Sequence, residues 1–420
     1  LISCKRYKAF LAIFSLLIIF QLFVGCTYGY KESQVPIMEE EIVELEPVYV
    51  SISAVGDVMM HNPQIKAYYQ NDNYDFTHNF GKIAPYIRQS HISIANLETT
   101  FGGKARGYSG YPMFNSPDEL ADALVWAGFN VISTVNNHTM DTGIKGLHRT
   151  LEVLDSKELS VVGTKSKVEE DSFTIKDVNG IKVGITAYTY ETPRFGTFKT
   201  LNGIKVPKEA EDLIDSFSYE FFEEDLLKIK DRIDLMRDKG AEIIVFCVHW
   251  GQEYQRTPNS YQTQMAKKLS DYGVNVIFGS HPHVLQPIEI IESEESQTKT
   301  LVAYSLGNFI SNQRFETVNN RYTEDGMILT VEFKKDLNNN EISLNNVMYM
   351  PTWVHRYREA GRLRYEVLPV LEFIDSEENN SFNLPKETLW RIKNSKDNTL
   401  ELVDLDGEYI REQQIIRQAN

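Results

Sequence analysis

Six short apolar runs, each breaking off into a polar or glycine-led turn, constrain the fold of this chain more than any other feature. They are "YVSISAV" (49–55), "HISIAN" (91–96), "FNVISTV" (129–135), "EIIVFCV" (242–248), "VNVIF" (274–278) and "TLVAYSL" (300–306). Runs this short and this rich in Val and Ile read as strands, and one such as 274–278 as a strand covered on both faces. Between most of them lie helix-length stretches. "SPDELADALVWAG" carries Ser116 as the expected N-cap before Pro117, and "YQTQMAKKLSDYG" closes at Gly273. Strands alternating with helices of this length imply crossover units and an α/β fold.

Two stretches break the alternation. "SFTIKDVNGIKVGITAYTY" (172–190) is a hairpin signal turning at Asn179-Gly180, and "MILTVEFKKDLNNNEISLNNVMYMP" (327–351) reads as two antiparallel strands around an Asn-rich loop. A core of two sheets flanked by helices accommodates both. "SYEFFEEDLLKIKDRIDLMRDKGAE" is a long amphipathic helix for an outer face. The expected organisation is a targeting segment at 1–26, an acidic linker at 27–47, a main domain at 48–315, further strands at 316–375 completing the sandwich, and a charged tail at 376–420 of small helices or poor order.

The chain has 420 residues, 42% of them apolar, enough for a large core. Its formal charge of −16 argues against nucleic acid as a partner, since phosphate neutralisation needs clustered Lys and Arg. At the N-terminus, Lys5, Arg6 and Lys8 precede the uncharged stretch from Ala9 to Gly25, interrupted by the amide of Gln21. This pattern is that of a signal peptide or a short membrane anchor. Cys26 comes next in "LFVGC", which resembles the lipobox of bacterial lipoproteins with Phe23 in the usual place of Leu. Lipidation at Cys26 and an uncleaved anchor both leave the basic flank inside and the remainder on the extracellular face of the cell membrane. Cys4 and Cys26 belong to this segment and Cys247 stands alone, so no disulfide framework is available. Cys247 is expected as a small core hydrophobe.

The residues just past the end of each run are chemically uniform. Asp57 and His61 come after the first; Asn96 and Glu98 end or succeed the second; Asn136, Asn137, His138 and Asp141 come after the third. His249 comes after the fourth, His281 and His283 after the fifth, and Asn308 after the sixth. In open α/β sheets the side chains just beyond strand carboxyl ends converge on one crevice, so these residues can meet despite their separation in sequence. Taken singly, each has an ordinary reading: Gly56-Asp57 as a strand-to-turn pair, Asn136-Asn137 as capping, His249 as a core or surface histidine. Together they form a ligand set for one or two divalent cations. Carboxylate and imidazole suit zinc, manganese or iron, and a bridging carboxylate lets two ions sit roughly 3.5–4 Å apart. A nearby imidazolium can then protonate a leaving oxygen. Ser305 in "YSLGN" lacks a G-x-S-x-G elbow, and no glycine-rich phosphate loop occurs.

"GDVMMH", "NLE", "NNHTMD", "HWGQEY", "GSHPHVLQP" and "YSLGNFI", in that order over about 48–315, resemble the CapA (poly-γ-glutamate capsule biosynthesis) family, itself similar to calcineurin-like metallophosphatases. The resemblance implies a four-layer α/β/β/α sandwich on the outer face of a bacterial membrane, working with a γ-linked glutamate polymer or a phosphoester, in company with membrane polymer-synthase subunits. It implies Asp57 and His61 as ligands from the first strand and Glu98 in the place of a metal-bridging Asp. Asn137, His249, His281 and His283 take the remaining ligand places, and His138 that of the general acid, with Asp141 beside it. The sequence departs from the phosphatase pattern where D-x-H becomes Asp57-Val-Met-Met-His61, where Glu98 replaces Asp, and where Asn136 replaces glycine. Lys104 and Arg106 in "FGGKARGYSGYPMF", with Arg194 and Arg256, can supply positive charge for a carboxylate-rich or phosphate ligand, or be solvated loop charges; Asn136 and Asn308 are further candidates for substrate contact. Tyr108, Tyr111 and Phe114 shape a pocket or cover the core. Whether the chain is a hydrolase or transferase, a non-catalytic assembly or polymer-binding subunit, or a general extracytoplasmic phosphoesterase stays open at this level.

Overall fold

A computed structural model of the protein describes residues 45–375, 384–403 and 410–413. Its centre is two mixed sheets laid face to face. The first is built on β1 (Val48–Val58), β2 (Ile92–Leu97), β3 (Val131–Ser133) and β4 (Ser160–Val162), all parallel. The second is built on β5 (Thr174–Val178), β6 (Ile181–Tyr190), β7 (Ser216–Phe217), β8 (Ile243–His249), β9 (Val276–Ser280), β10 (Ile288–Glu292) and β11 (Lys299–Ala303), in the order β7-β6-β8-β9-β11-β10 with β5 on β6. The chain then returns to the first sheet with β12 (Asn308–Ile310), β13 (Asp325–Lys335), β14 (Ile342–Glu359), β15 (Arg362–Pro369) and β16 (Ile410–Glu412). That sheet runs β15-β14-β13-β1-β2-β3-β4, with β12 beside β1 and β16 beside β14.

Side chains alternate across each strand, and the alternation sorts the core into layers. Ile52 and Ala54 of β1, Ile94 of β2, Val245 and Cys247 of β8, and Val276 of β9 fill the space between the sheets. Ala95 and Leu97 point the other way, onto α2 (Glu119–Ala127), through Leu120 and Leu124. Phe246, Val248 and Ile277 back onto α4 (Phe222–Asp238) and α5 (Ser260–Asp271), meeting Leu226, Ile229, Ile233, Met265 and Leu269. The architecture is therefore the four-layer α/β/β/α arrangement that the sequence leads one to expect. Cys247 is buried between the sheets, and burial pushes its thiol up to about 12. Asn179 and Gly180, both at positive φ, make the tight turn of the β5–β6 hairpin, and β13 and β14 pair antiparallel as expected.

Some local details differ from the sequence reading. The helix after Ser116 begins only at Glu119; the Ser116 hydroxyl lies 2.8 Å from that of Thr99, so it is taken up by a loop contact and does not cap α2. By contrast α5 carries a capping box, Asn259 with Gln262, before the expected glycine-closed end, where Gly273 is left-handed. Among the described residues of the tail, a helix of 15 residues, α6 (Lys386–Leu400), packs Ile392 against Trp353 and Leu368 where small helices or poor order were expected. The basic N-terminal segment, Cys26 and most of the acidic linker lie outside the described residues. Among the described residues no helix is long and apolar enough to cross a membrane.

Two parallel strands place the first acid. The β1–β2 register shifts between Val55 and Asp57, and the Asp57 amide donates to Gly307 O at 3.0 Å. A Cβ on Gly56 would sit 1.8 Å from that same Gly307 oxygen. The backbones approach closely enough that only glycine fits. Gly56→Ala is thus expected to destabilise the fold by about 1–3 kcal/mol through overpacking against backbone. Urea unfolding reads this as a lowered midpoint; an unchanged midpoint would contradict the close approach.

Candidate metal centre

The strand ends deliver their side chains to one place. Asp57 is the penultimate residue of β1, Glu98 comes directly after β2, and the loop after β3 carries Asn136, Asn137, His138 and Asp141. His249 is the last residue of β8, and β9 runs into His281-Pro282-His283. Both of those histidines sit at positive φ, 95° for His281 and 57° for His283. Non-glycine residues take this region at a cost of order 1 kcal/mol or more each, so a proline-centred turn that holds two of them side by side is a strained, fixed feature. Its effect is to bury both imidazoles, 4% and 2% exposed.

Glu98 is the centre of the arrangement. It is fully buried and no donor group reaches either carboxylate oxygen; when protonated, its partner is the Asp57 carboxylate. Its Oε1 faces His249 Nε2 at 3.6 Å, His283 Nε2 at 3.7 Å and His138 Nε2 at 4.0 Å. Those distances are too long for hydrogen bonds and leave an unpaired acid among imidazoles. Burial first, then the charges of Asp57 and Glu253, hold its carboxyl well above the usual carboxylate range. His249 and His281 are pushed well below the ordinary imidazole value, again by burial first and then by neighbouring imidazoles. The Nδ1 of His281 also lacks a partner.

Among the described residues, three groups of ligand atoms lie within 4.8 Å of one another: Glu98, His249 and His281; Asp57, Glu98 and His283; and Glu253, His281 and His283. The first two share Glu98. Asn137 Oδ1 stands 3.0 Å from His249 Nε2, beside the first group. Orphaned donor atoms on a buried acid and a buried imidazole, clustered with further carboxylate and imidazole, fit a divalent metal ion.

A second layer of contacts aims these groups. Asp57 accepts the Asn96 amide on Oδ1 (2.8 Å), while Oδ2 lies 3.0 Å from His283 Nδ1. Asn308 Oδ1 is 3.1 Å from the same Nδ1. With two acceptors at Nδ1 the His283 proton belongs there, and its Nε2 lone pair is left facing Glu98. Ser280 Oγ holds His249 Nδ1 at 3.0 Å. His138 Nδ1 is 2.8 Å from Asp141 Oδ2, and its amide donates to Asn136 Oδ1 at 3.0 Å. The Asp141 oxygen also accepts the Phe114 amide (2.6 Å), and the Phe114 ring stands edge-on to both His138 and His61.

Other expected residues belong to none of these three ligand groups. His61 belongs to none of the three groups; it precedes α1 (Asn62–Ala67), and its Nδ1 accepts the Asn312 amide at 3.3 Å. Burial, then His283, pushes its imidazole down to about 4. Asn136 donates to Leu97 O (2.9 Å) and Asn308 holds His283, so both amides position other groups. Arg106 rests on the carbonyls of Asp141 and Thr142, and Lys104 is exposed on the same short turn. Arg194 is paired with Glu191 and Arg256 with Glu401. Tyr108 packs on Tyr74, and Tyr111 is 67% exposed. The acid that sequence reasoning passed over is Glu253, although it stands in "HWGQEY", four residues past a strand-end histidine.

Comparison with known proteins adds a family. The family model described as bacterial capsule synthesis protein PGA_cap matches residues 51–313. The chain is similar to the PGA biosynthesis protein CapA of Bacillus subtilis (strain 168), 28% identical over 68% of this chain and 68% of that protein. It is also similar to the capsule biosynthesis protein CapA of Bacillus anthracis, 27% identical over 74% of this chain and 70% of that one. Among solved structures, a novel phosphatase of Mycoplasma pneumoniae overlaps 73% of this chain and 94% of its own at 14% identity and a TM-score of 0.40.

The electrostatics of Glu98 predict proton release. Without a cation, Glu98 keeps its proton to a pH above the ordinary carboxylic range, whereas a bound cation requires the carboxylate. His249 and His281 are already neutral and have none to give up. Divalent cation binding is therefore expected to expel a proton between the ordinary and the raised Glu98 values, and to expel none above the raised one. Calorimetry over a series of pH values in buffers of different ionisation enthalpy reads the release, and Glu98→Gln should lessen it. Binding heats independent of the buffer would contradict the assignment.

Proposed function

The chain belongs to the bacterial capsule synthesis protein PGA_cap family, and from that membership and its buried site we propose that it serves poly-γ-glutamate capsule formation as a metal-dependent hydrolase or transferase. The observation that carries the chemical part of this reading is Glu98, a fully buried carboxylate that no donor reaches, ringed by three imidazole nitrogens at 3.6–4.0 Å. Asp57, Glu98, Asn137, His249, His281 and His283 would hold one or two divalent ions, of manganese, zinc or iron. When bound, such an ion supplies Lewis-acid polarisation of a γ-glutamyl carbonyl or a phosphoryl oxygen.

The chain's own residues do the rest. His138, oriented through Nδ1 by Asp141, points Nε2 toward Glu98 and is placed to give a proton to the leaving nitrogen or oxygen. Asn136 fixes the His138 backbone and thereby the ring. Phe114 covers one side of that ring and keeps bulk water from it. Lys104 and Arg106, on the turn that abuts the Asp141 backbone, add positive charge for a carboxylate-rich polymer in an otherwise acidic protein. The N-terminal segment supports tethering to the extracellular face of the cell membrane, by lipid on Cys26 or as an anchor, beside the subunits that make the polymer.

The test separates chemistry from assembly. His138→Asn is expected to retain metal while lowering turnover of γ-glutamyl peptides by about 10²- to 10⁴-fold, the usual worth of a general acid. A parallel screen of simple phosphoesters decides which bond is attacked. If alanine at Asp57, His138 and His283 leaves capsule production intact in cells where deletion abolishes it, the protein acts as a non-catalytic assembly subunit and the proposal fails.

A further inference from the structure

The loop after His249 is held down at several points. Trp250 is buried and its Nε1 donates to Tyr304 O at 2.9 Å. Gly251 is left-handed (φ 85°), and the side chain of Gln262 fills the space where its Cβ would stand, at 2.7 Å. Gln262 in turn donates to Gln286 Oε1 (2.8 Å), and Gln286 donates to Gln255 O (2.8 Å). Between these fixings Tyr254 takes a positive φ of 66° and donates its amide to Pro282 O at 2.8 Å. Pro282 is the residue between the two strand-end histidines. The loop is thus bent back and tied to the His281-Pro282-His283 turn itself.

The residue set against that turn is Glu253. Its side chain is exposed, yet a carboxylate oxygen lies within 4.8 Å of ligand nitrogens on both buried histidines. The Glu253 carboxylate is hydrogen-bonded by the Tyr254 side chain, and the left-handed backbone at Tyr254 holds it against the turn. A second observation points the same way: the Nδ1 of buried His281 has no partner in the protein. His61, by contrast, stands outside all three ligand groups with its Nδ1 turned to Asn312. We propose that Glu253 is a further ligand of the metal centre, binding a divalent cation together with His281 and His283 from the solvent side. This rests on reading the buried cluster as a metal centre. As a hard oxygen donor added to an imidazole pair, it suits manganese better than a softer ion.

The full chain, stripped with a chelator and titrated with Mn²⁺ by calorimetry and electron paramagnetic resonance, tests this without reference to turnover. Glu253→Gln and Glu253→Ala are expected to keep the melting temperature of the stripped chain while weakening Mn²⁺ binding at least tenfold or removing one equivalent. Unchanged affinity and an unchanged resonance spectrum in both variants would overturn the role of Glu253 and leave the metal centre standing. Absence of Mn²⁺ binding by the unsubstituted chain would overturn the metal centre and the role of Glu253 with it.

Discussion

A carboxylate sealed from water with no donor to pair with it is the constraint around which this molecule is arranged. A buried polar group left unsatisfied costs about 1–3 kcal/mol, and a charged one more. Glu98 is such a group, and burial holds the imidazole of its neighbour His249 well below the ordinary value, so that ring does not pair with it as a cation. A neutral acid can bond only to Asp57, and an ionised one faces the charges of Asp57 and Glu253. A divalent cation resolves both problems, since it needs the carboxylate ionised and the imidazoles neutral.

The fold serves that demand through strand ends. Two sheets packed through Ile52, Ile94, Val245 and Val276 bring the carboxyl ends of β1, β2 and β3 opposite those of β8 and β9. Close backbone approach at Gly56, the register shift beside it and the two left-handed histidines then turn individual side chains inward. Amides and hydroxyls do the aiming: Asn96 on Asp57, Asn308 on His283, Ser280 on His249. Such contacts fix which ring nitrogen is free to bind, a decision that ligand identity alone leaves open.

Much of this was legible in the chain because the signals are local. Period and length in "EIIVFCV" or "VNVIF" mark a buried strand, and the polar residue after it marks the crevice edge. The Asn179-Gly180 turn is equally local. Legibility failed where a side chain's role depends on what comes near it in space. Ser116 looks like a cap until Thr99 meets its hydroxyl, and no local pattern announces that the amides of Asn136 and Asn308 support Leu97, His138 and His283. His61 stands close after Asp57 in sequence, yet it begins α1 and turns to Asn312. Glu253 was missed for the converse reason: nothing in "HWGQEY" announces that Tyr254 will bind Pro282 and draw the loop onto the histidine turn.

Anomalous diffraction from crystals soaked in a divalent manganese salt, collected at the metal's absorption edge, puts the central claim to its most direct trial. The predicted result is a peak about 2 Å from a Glu98 oxygen, with a nitrogen of His249 or His283 at a similar distance. A fully occupied soak with no anomalous density around Glu98, or density bound only to exposed surface acids, would contradict it.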